Sequence, residues 1–382
     1  MTEIKHIKTS LLIGLPIVIG VIIFIVVSMF LNLTREETRF EELALGKETK
    51  IYRAMYQDVL VHCSELTDGA MCLDGWKQRG GHPVTLWLGN SQLHAINQMK
   101  SGDVNSVQLL YDKLTKSDND LLAFSEPNAS LQEHYVLFEY LKSRLPIRTL
   151  LLPAVFDDTR ENGLRDGLIP ALHELPVMDE LSKTKIGREI LTENKSVKDT
   201  GDMAGLNDTP QKVVESAITD WLTEHWSLWD TRSAMRGQLY NSLYLWRNSV
   251  FGINAQSKRK IIPGRYVKNL AALKSILQSC AEQKINVILY IVPLRNDVEP
   301  PYVTKEYVSF KKDVELLSSE YGAVFADIEG LVPGELWGRK DATSINGEAE
   351  LDFMHFQAGG HRLLAETMFE LLQANHFLSD SQ

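Results

Sequence analysis

The chain has 382 residues, 44% of them apolar and 24% charged, enough to bury a sizeable core in one large domain or two ordinary ones. Its formal net charge of −10, with no dense Lys/Arg run, argues against a nucleic-acid partner, because phosphate binding needs a basic surface. No zinc motif, Walker loop or dinucleotide fingerprint occurs, so the sequence implies no cofactor and no metal.

The first ten residues include Lys5 and Lys8 and precede an uncharged apolar stretch, Leu11 to Leu33. As a helix that stretch would cross a hydrocarbon core of roughly 30 Å. It lacks the short apolar region and small-residue cleavage site of a removable signal peptide. Residues 11–33 are therefore expected to form a retained transmembrane helix, with residues 1–10 cytoplasmic. The rest would face outward from the inner membrane, in the periplasm, as a single-pass protein. Residues 34–80 read as a helical stalk or linker. Within it Cys63 and Cys72 flank the polar segment "SELTDGAM" and either close a disulfide loop or stand as separate thiols. Cys280, in "LAALKSILQSCAEQ", has the periodicity of a buried helix and reads as a free thiol.

After Gly80-Gly81-His82-Pro83 short apolar runs alternate with helix-patterned stretches. The runs are "VTLWLGNS" (84–91), "DLLAFSEPN" (120–128), "IRTLLLPAVFDD" (147–158), "INVILYIVPLRND" (285–297) and "GAVFADI" (322–328). Each is bounded by polar, Gly or Pro residues and is too short for a buried helix. The alternation predicts an α/β fold, a five-stranded, mostly parallel sheet with helices on both faces, over residues 81–376. About 161–260 would be a helical insertion. Its Trp221, Trp226 and Trp229 recur near helical spacing and are expected to pack it onto the main domain rather than to form a sugar platform.

Ligands of open parallel sheets bind beyond the carboxyl ends of the strands. The first such end carries Ser91, which is either a helix cap or a nucleophile. A serine nucleophile needs a base and a group to orient that base. Asp352 and His355 stand three apart in "LDFMHFQAGGHRLLAETMFELL", just ahead of a helix expected from about Gly359. A single turn at that spacing would bring both side chains to one side. His361, inside the helix, has no such companion. Arg160 and Arg295 follow the third and fourth strands. Each is a candidate to hold a carboxylate or phosphate of a substrate, the alternative being a salt bridge to a neighbouring aspartate.

The order of these parts resembles the SGNH (GDSL-like) hydrolase superfamily over residues ~84–375, interrupted by the insertion. "LGNSQ" stands where that family has its Gly-Asp-Ser block, with Asn90 in place of the acidic residue, and "LDFMH" matches its Asp-x-x-His block. The resemblance implies Ser91 as nucleophile, His355 as general base and acid, and Asp352 as its orienter. The middle blocks depart from the pattern. "FSEPNAS" lacks the family's glycine, and "AVFDDTREN" has Asp157 and Asp158 where the family has Asn-Asp. The expected oxyanion donors are the Ser91 backbone N–H and Asn128.

With the expected anchor, the resemblance extends to the DltD-like and AlgJ/AlgX-like proteins, which work beside membrane-bound O-acyltransferases on the cell envelope. It implies a serine esterase or O-acyltransferase acting on a cell-surface glycan or its acyl donor, with such an acyltransferase as partner. The alternative is a non-catalytic glycan-binding or scaffold subunit of an envelope-assembly complex.

Overall fold

A computed structural model describes residues 48–64, 68–115, 119–194, 245–344 and 347–378, with Leu45 and Leu243. The elements below belong to one compact unit, Ala44–Met203 with Tyr244–Gln382; a second unit, Met1–Leu43 with Ala204–Leu243, lies outside the described residues save Leu243.

Six strands pair in parallel: β1 (His62–Cys63), β2 (Val84–Gly89), β3 (Asp120–Ser125), β4 (Ile147–Ala154), β5 (Asn286–Ile291) and β6 (Val324–Asp327). Their order across the sheet is β6-β5-β4-β2-β3-β1. Every residue of β2 and β3 is buried, which explains why these strands are almost uninterrupted apolar runs. Alternate side chains serve the two faces. Leu86, Leu88, Phe124 and Leu152 join one apolar cluster, and Trp87, Ala123, Leu151 and Tyr290 the other.

The first face is covered by α1 (Gly69–Gln78), α4 (Leu131–Lys142), α7 (Pro263–Gln283) and α8 (Thr304–Glu320), which contribute Trp76, Phe138, Leu273 and Phe310. Leu110 of α3 (Ser106–Leu114) and Met368 of α9 (Ala358–Ala374) cover the second. The expected three layers are present. Between α4 and α7 run α5 (Leu175–Lys183) and α6 (Lys185–Glu193). A turn of four residues, α2 (Ser91–His94), follows β2, and an antiparallel hairpin of β7 (Trp337–Lys340) and β8 (Glu350–Phe356) precedes α9.

The expected fold class is corrected in two respects. The sheet has six strands, not five: β1 is only two residues long, too short to leave a periodic signal, and lies in the stretch read as stalk. The expected transmembrane helix is withdrawn, because no described helix is long and apolar enough to cross a membrane. α7 has the length, at 21 residues, but carries Arg265, Lys268, Lys274 and Glu282 along its surface. The stretch 11–33 itself lies outside the described residues, as do Trp221, Trp226 and Trp229; α5 and α6 are described parts of the expected insertion.

Strand order places the site. β2 and β4 are neighbours, and the chain runs on from β2 to β3 on one side and from β4 to β5 on the other. Loops diverge there and open a crevice at the carboxyl end of the sheet. Ser91 stands at that point.

Candidate active site

The backbone turns sharply after β2. Asn90, in extended conformation, caps α2 by accepting the Gln92 N–H on its side chain at 3.0 Å. The cap is thus Asn90, and Ser91 is the first helical residue, free of the capping duty that the sequence left open for it. Gly89 makes the turn possible. A β-carbon there would fall 2.7 Å from Leu93, which packs back over the strand end.

Asp352 and His355 come to one side by a route that regular structure does not offer. Residues three apart in a plain strand face opposite ways. In the β7–β8 hairpin Trp337 pairs with Phe356 and Arg339 with Leu351, so Gly338 alone opposes residues 352–355. The longer arm loops out there. The Asp352 carboxylate closes the loop, accepting the backbone N–H of Met354 at 2.8 Å and of His355 at 2.9 Å on Oδ1.

The other carboxylate oxygen, Oδ2, accepts from His355 Nδ1 at 2.9 Å. A carboxylate can only accept here, so Nδ1 carries the imidazole proton and Nε2 is left as acceptor. Nε2 lies 2.9 Å from Ser91 Oγ. Burial alone would raise the Asp352 pKa, but His355 and the two backbone donors outweigh it and hold the group at about 2. The three residues therefore form a continuous Ser–His–Asp chain of hydrogen bonds with a fixed proton direction.

Two neighbours unmarked by any motif hold this chain. Buried Asn97 donates from Nδ2 to Asp352 Oδ2 at 3.2 Å and to the Arg339 carbonyl at 2.9 Å. Gln92 donates to the carbonyls of Pro293 at 3.0 Å and Met354 at 2.9 Å. Both partners lie far away in sequence, and only their polar character amid apolar surroundings could have singled these residues out.

Asn90 also donates to both carboxylate oxygens of Asp158, at 3.3 Å each. Asp158 is buried after β4, and burial pushes its carboxyl well above the ordinary range. The Asn90 bond opposes that shift, while Asp157, Glu161 and Glu133 add to it.

Asn128 is exposed, with a φ of 51°, on the loop after β3. That loop starts beside the serine turn, since the Glu126 N–H donates to the Gly89 carbonyl at 3.1 Å. Arg165 secures it by donating to Glu126 at 2.8 Å, to the Pro127 carbonyl at 2.9 Å and to Glu133 at 2.8 Å.

The two arginines considered for substrate are held by carboxylates of the same unit. Arg295 is nearly buried, forked onto Asp297 at 2.7 and 2.9 Å, and donates to the Gly338 carbonyl at 2.9 Å. Arg160 pairs with Asp157 at 3.1 Å and donates to the Lys260 carbonyl at 3.0 Å. Asp157 is further engaged by Arg259 and the Tyr302 hydroxyl.

Cys63 and Cys72 are joined in a disulfide that ties β1 to α1, and Cys280 is a buried free thiol. Buried histidines pack beneath the site. His62 Nδ1 faces the Asn105 amide at 3.2 Å and must accept, so its Nε2–H donates to Ser125 Oγ at 2.7 Å. Ser125 in turn donates to His94 Nδ1 at 2.7 Å. His361 accepts the Ser106 N–H at 3.2 Å and donates to the Ala95 carbonyl at 3.1 Å, a structural post within α9.

No protein-family model matches the chain, and no curated protein matches it in sequence. Distantly similar folds occur among solved structures. A variant of Axe2, an acetyl-xylooligosaccharide esterase from Geobacillus stearothermophilus, shares 10% identity at a TM-score of 0.34, over 76% of this chain and 94% of its own. A catalytic mutant of Axe2, there described as an acetylxylan esterase, gives 10% and 0.35 over 76% and 95%. The native aryl esterase of M. smegmatis gives 11% and 0.32 over 77% and 99%. Likeness this distant lends the chain none of their activities.

Proposed function

We propose that the protein is a serine esterase or O-acyltransferase that works through an acyl-enzyme on Ser91. The observation that carries this reading is the unbroken chain from Ser91 Oγ through His355 to Asp352, with both links at 2.9 Å. A hydroxyl buried beside an acceptor nitrogen whose partner nitrogen is locked as a donor is the arrangement that serine acyl transfer requires.

The Ser91 hydroxyl attacks the ester carbonyl as its proton passes to His355 Nε2. Asp352 stays ionised and stabilises the imidazolium through the Nδ1 hydrogen bond. The tetrahedral intermediate expels an alcohol, which takes the proton back from Nε2 and leaves the acyl group on Ser91. Water or a second alcohol then attacks the acyl carbon and gives its proton to Nε2; the acyl–Oγ bond breaks, Ser91 Oγ takes that proton back, and the acid or the new ester leaves. The side-chain amide of Asn128, unengaged among the described residues and on a loop pinned by Arg165, is our candidate second oxyanion donor beside the Ser91 N–H.

The substrate we propose is an O-acyl group on a cell-surface polysaccharide, handled together with a membrane-bound O-acyltransferase. The blocks "LGNSQ" and "LDFMH" support the acyl-transfer chemistry this requires, and the Cys63–Cys72 disulfide fits an oxidising compartment.

A fluorophosphonate probe should label Ser91 in the folded protein, and Ser91→Ala should abolish both labelling and hydrolysis of p-nitrophenyl acetate. Labelling elsewhere, or activity surviving in Ser91→Ala, would overturn the reading. Mass analysis of envelope glycans from cells carrying Ser91→Ala separates the two directions of transfer. Loss of an acyl group indicates the transferase, and gain indicates the esterase.

A further inference from the structure

We infer that Gln92 is a positioning residue, whose side-chain amide sets the distance and alignment between Ser91 and His355. This deepens the acyl-transfer reading and rests on it.

The nucleophile and the base belong to separate parts of the chain, 264 residues apart, and no strand pairs β2 directly with β8. Something must register α2 against the looped-out arm of the hairpin. Gln92, next to Ser91, is buried. One N–H of its amide reaches the carbonyl of Pro293, just past the end of β5. The other reaches the carbonyl of Met354, whose peptide unit continues into His355. Both contacts are to carbonyl oxygens, so the nitrogen must face them; the flipped amide would set oxygen against oxygen.

Gln92 is itself held by its backbone N–H, which donates to Asn90 Oδ1. One side chain thus links the serine turn, the sheet and the histidine loop. No hydrogen bond to the reacting groups is involved, so Gln92 acts through geometry alone. Misplacement of reacting groups by about 1 Å can cost on the order of 10²-fold in rate.

Gln92→Leu removes both donors at similar volume. Its kcat on p-nitrophenyl acetate should fall roughly 10–100-fold with KM within about twofold, and fluorophosphonate labelling of Ser91 should slow by the same factor in protein folded by circular dichroism. Gln92→Glu is isosteric and carries the test if the leucine variant does not fold. Protonated, it keeps one donor; ionised, it repels both carbonyls. Its deficit relative to wild type should therefore deepen as pH rises, whereas that of the leucine variant should not.

Wild-type labelling rates in folded Gln92→Leu overturn the clamp and leave the nucleophile reading intact. Absence of Ser91 labelling in the wild-type chain overturns both. A lowered melting temperature with unchanged kcat per folded molecule also overturns the clamp, because it makes Gln92 a packing residue only.

Discussion

Gly338 and Asn97 approach so closely that a β-carbon on the glycine would lie 1.7 Å from Asn97 Oδ1. The glycine is therefore bound up with the triad through one intermediary, since Asn97 Nδ2 holds Asp352. Gly338→Ala should displace Asn97, free one side of the carboxylate and lower kcat roughly 10–100-fold. Fluorophosphonate labelling kinetics on the folded variant check this. Unchanged kinetics would mean that Asp352 is held by its backbone donors alone.

Asp352→Asn should be more damaging than loss of its supports. An asparagine amide oriented to donate at Nδ1 requires the imidazole proton to sit on Nε2, where it can no longer accept from Ser91. The expected loss is ~10⁴ in kcat with little change in fold. Steady-state kinetics with circular dichroism distinguish this from unfolding.

Buried neutral histidines should make the protein lose stability in acid. Burial lowers the pKa of His62 from 6.5 to about 3, helped by Arg53 and His361. Burial also lowers His361 to about 3, against the pull of the Ala95 carbonyl, and moves His94 the same way. The unfolded chain binds the His62 and His361 protons near pH 6.5 and the folded chain only near 3. Stability is thus full above 6.5 and falls as pH drops toward 3. At pH 5, His62 and His361 would each cost ~2 kcal/mol relative to neutral pH. Urea unfolding at pH 8, 6.5 and 5 measures the slope, and a pH-independent midpoint contradicts it.

Reduction of Cys63–Cys72 should loosen the edge of the sheet. The bridge spans nine positions of sequence, and closing so short a loop stabilises by about 2–3 kcal/mol in the chain-entropy account. For a protein of this size that corresponds to roughly 3–5 °C in melting temperature. Melting curves with and without reductant, using Cys63→Ser as the comparison, test it. Because β1 also carries His62, the reduced protein should be the more acid-sensitive.

Much of this architecture is legible in the residues. Runs such as "VTLWLG" betray central parallel strands because both their faces are covered. The Asp-x-x-His spacing and the serine after the first long strand mark the three residues that meet in space. The manner of their meeting is not legible. A turn was expected at 352–355, and the chain instead loops out of a hairpin opposite a single glycine, a matter of pairing register that no local pattern encodes. Strand β1 escaped because two residues carry no period. Gln92 and Asn97 escaped because their partners lie 262 and 255 residues away, and in sequence they are ordinary polar residues.

The looped hairpin also bears on when the site can exist during synthesis. All six sheet strands lie before residue 328, and every support of Ser91 within its own turn is local. The base and its carboxylate arrive only with β8, after every strand of the sheet. The sheet strands thus precede the serine's proton acceptor in order of synthesis, and β8 with α9, which brings Met368 to the second face, completes the core and the site together. Reactivity therefore comes only once the second face of the sheet is being covered.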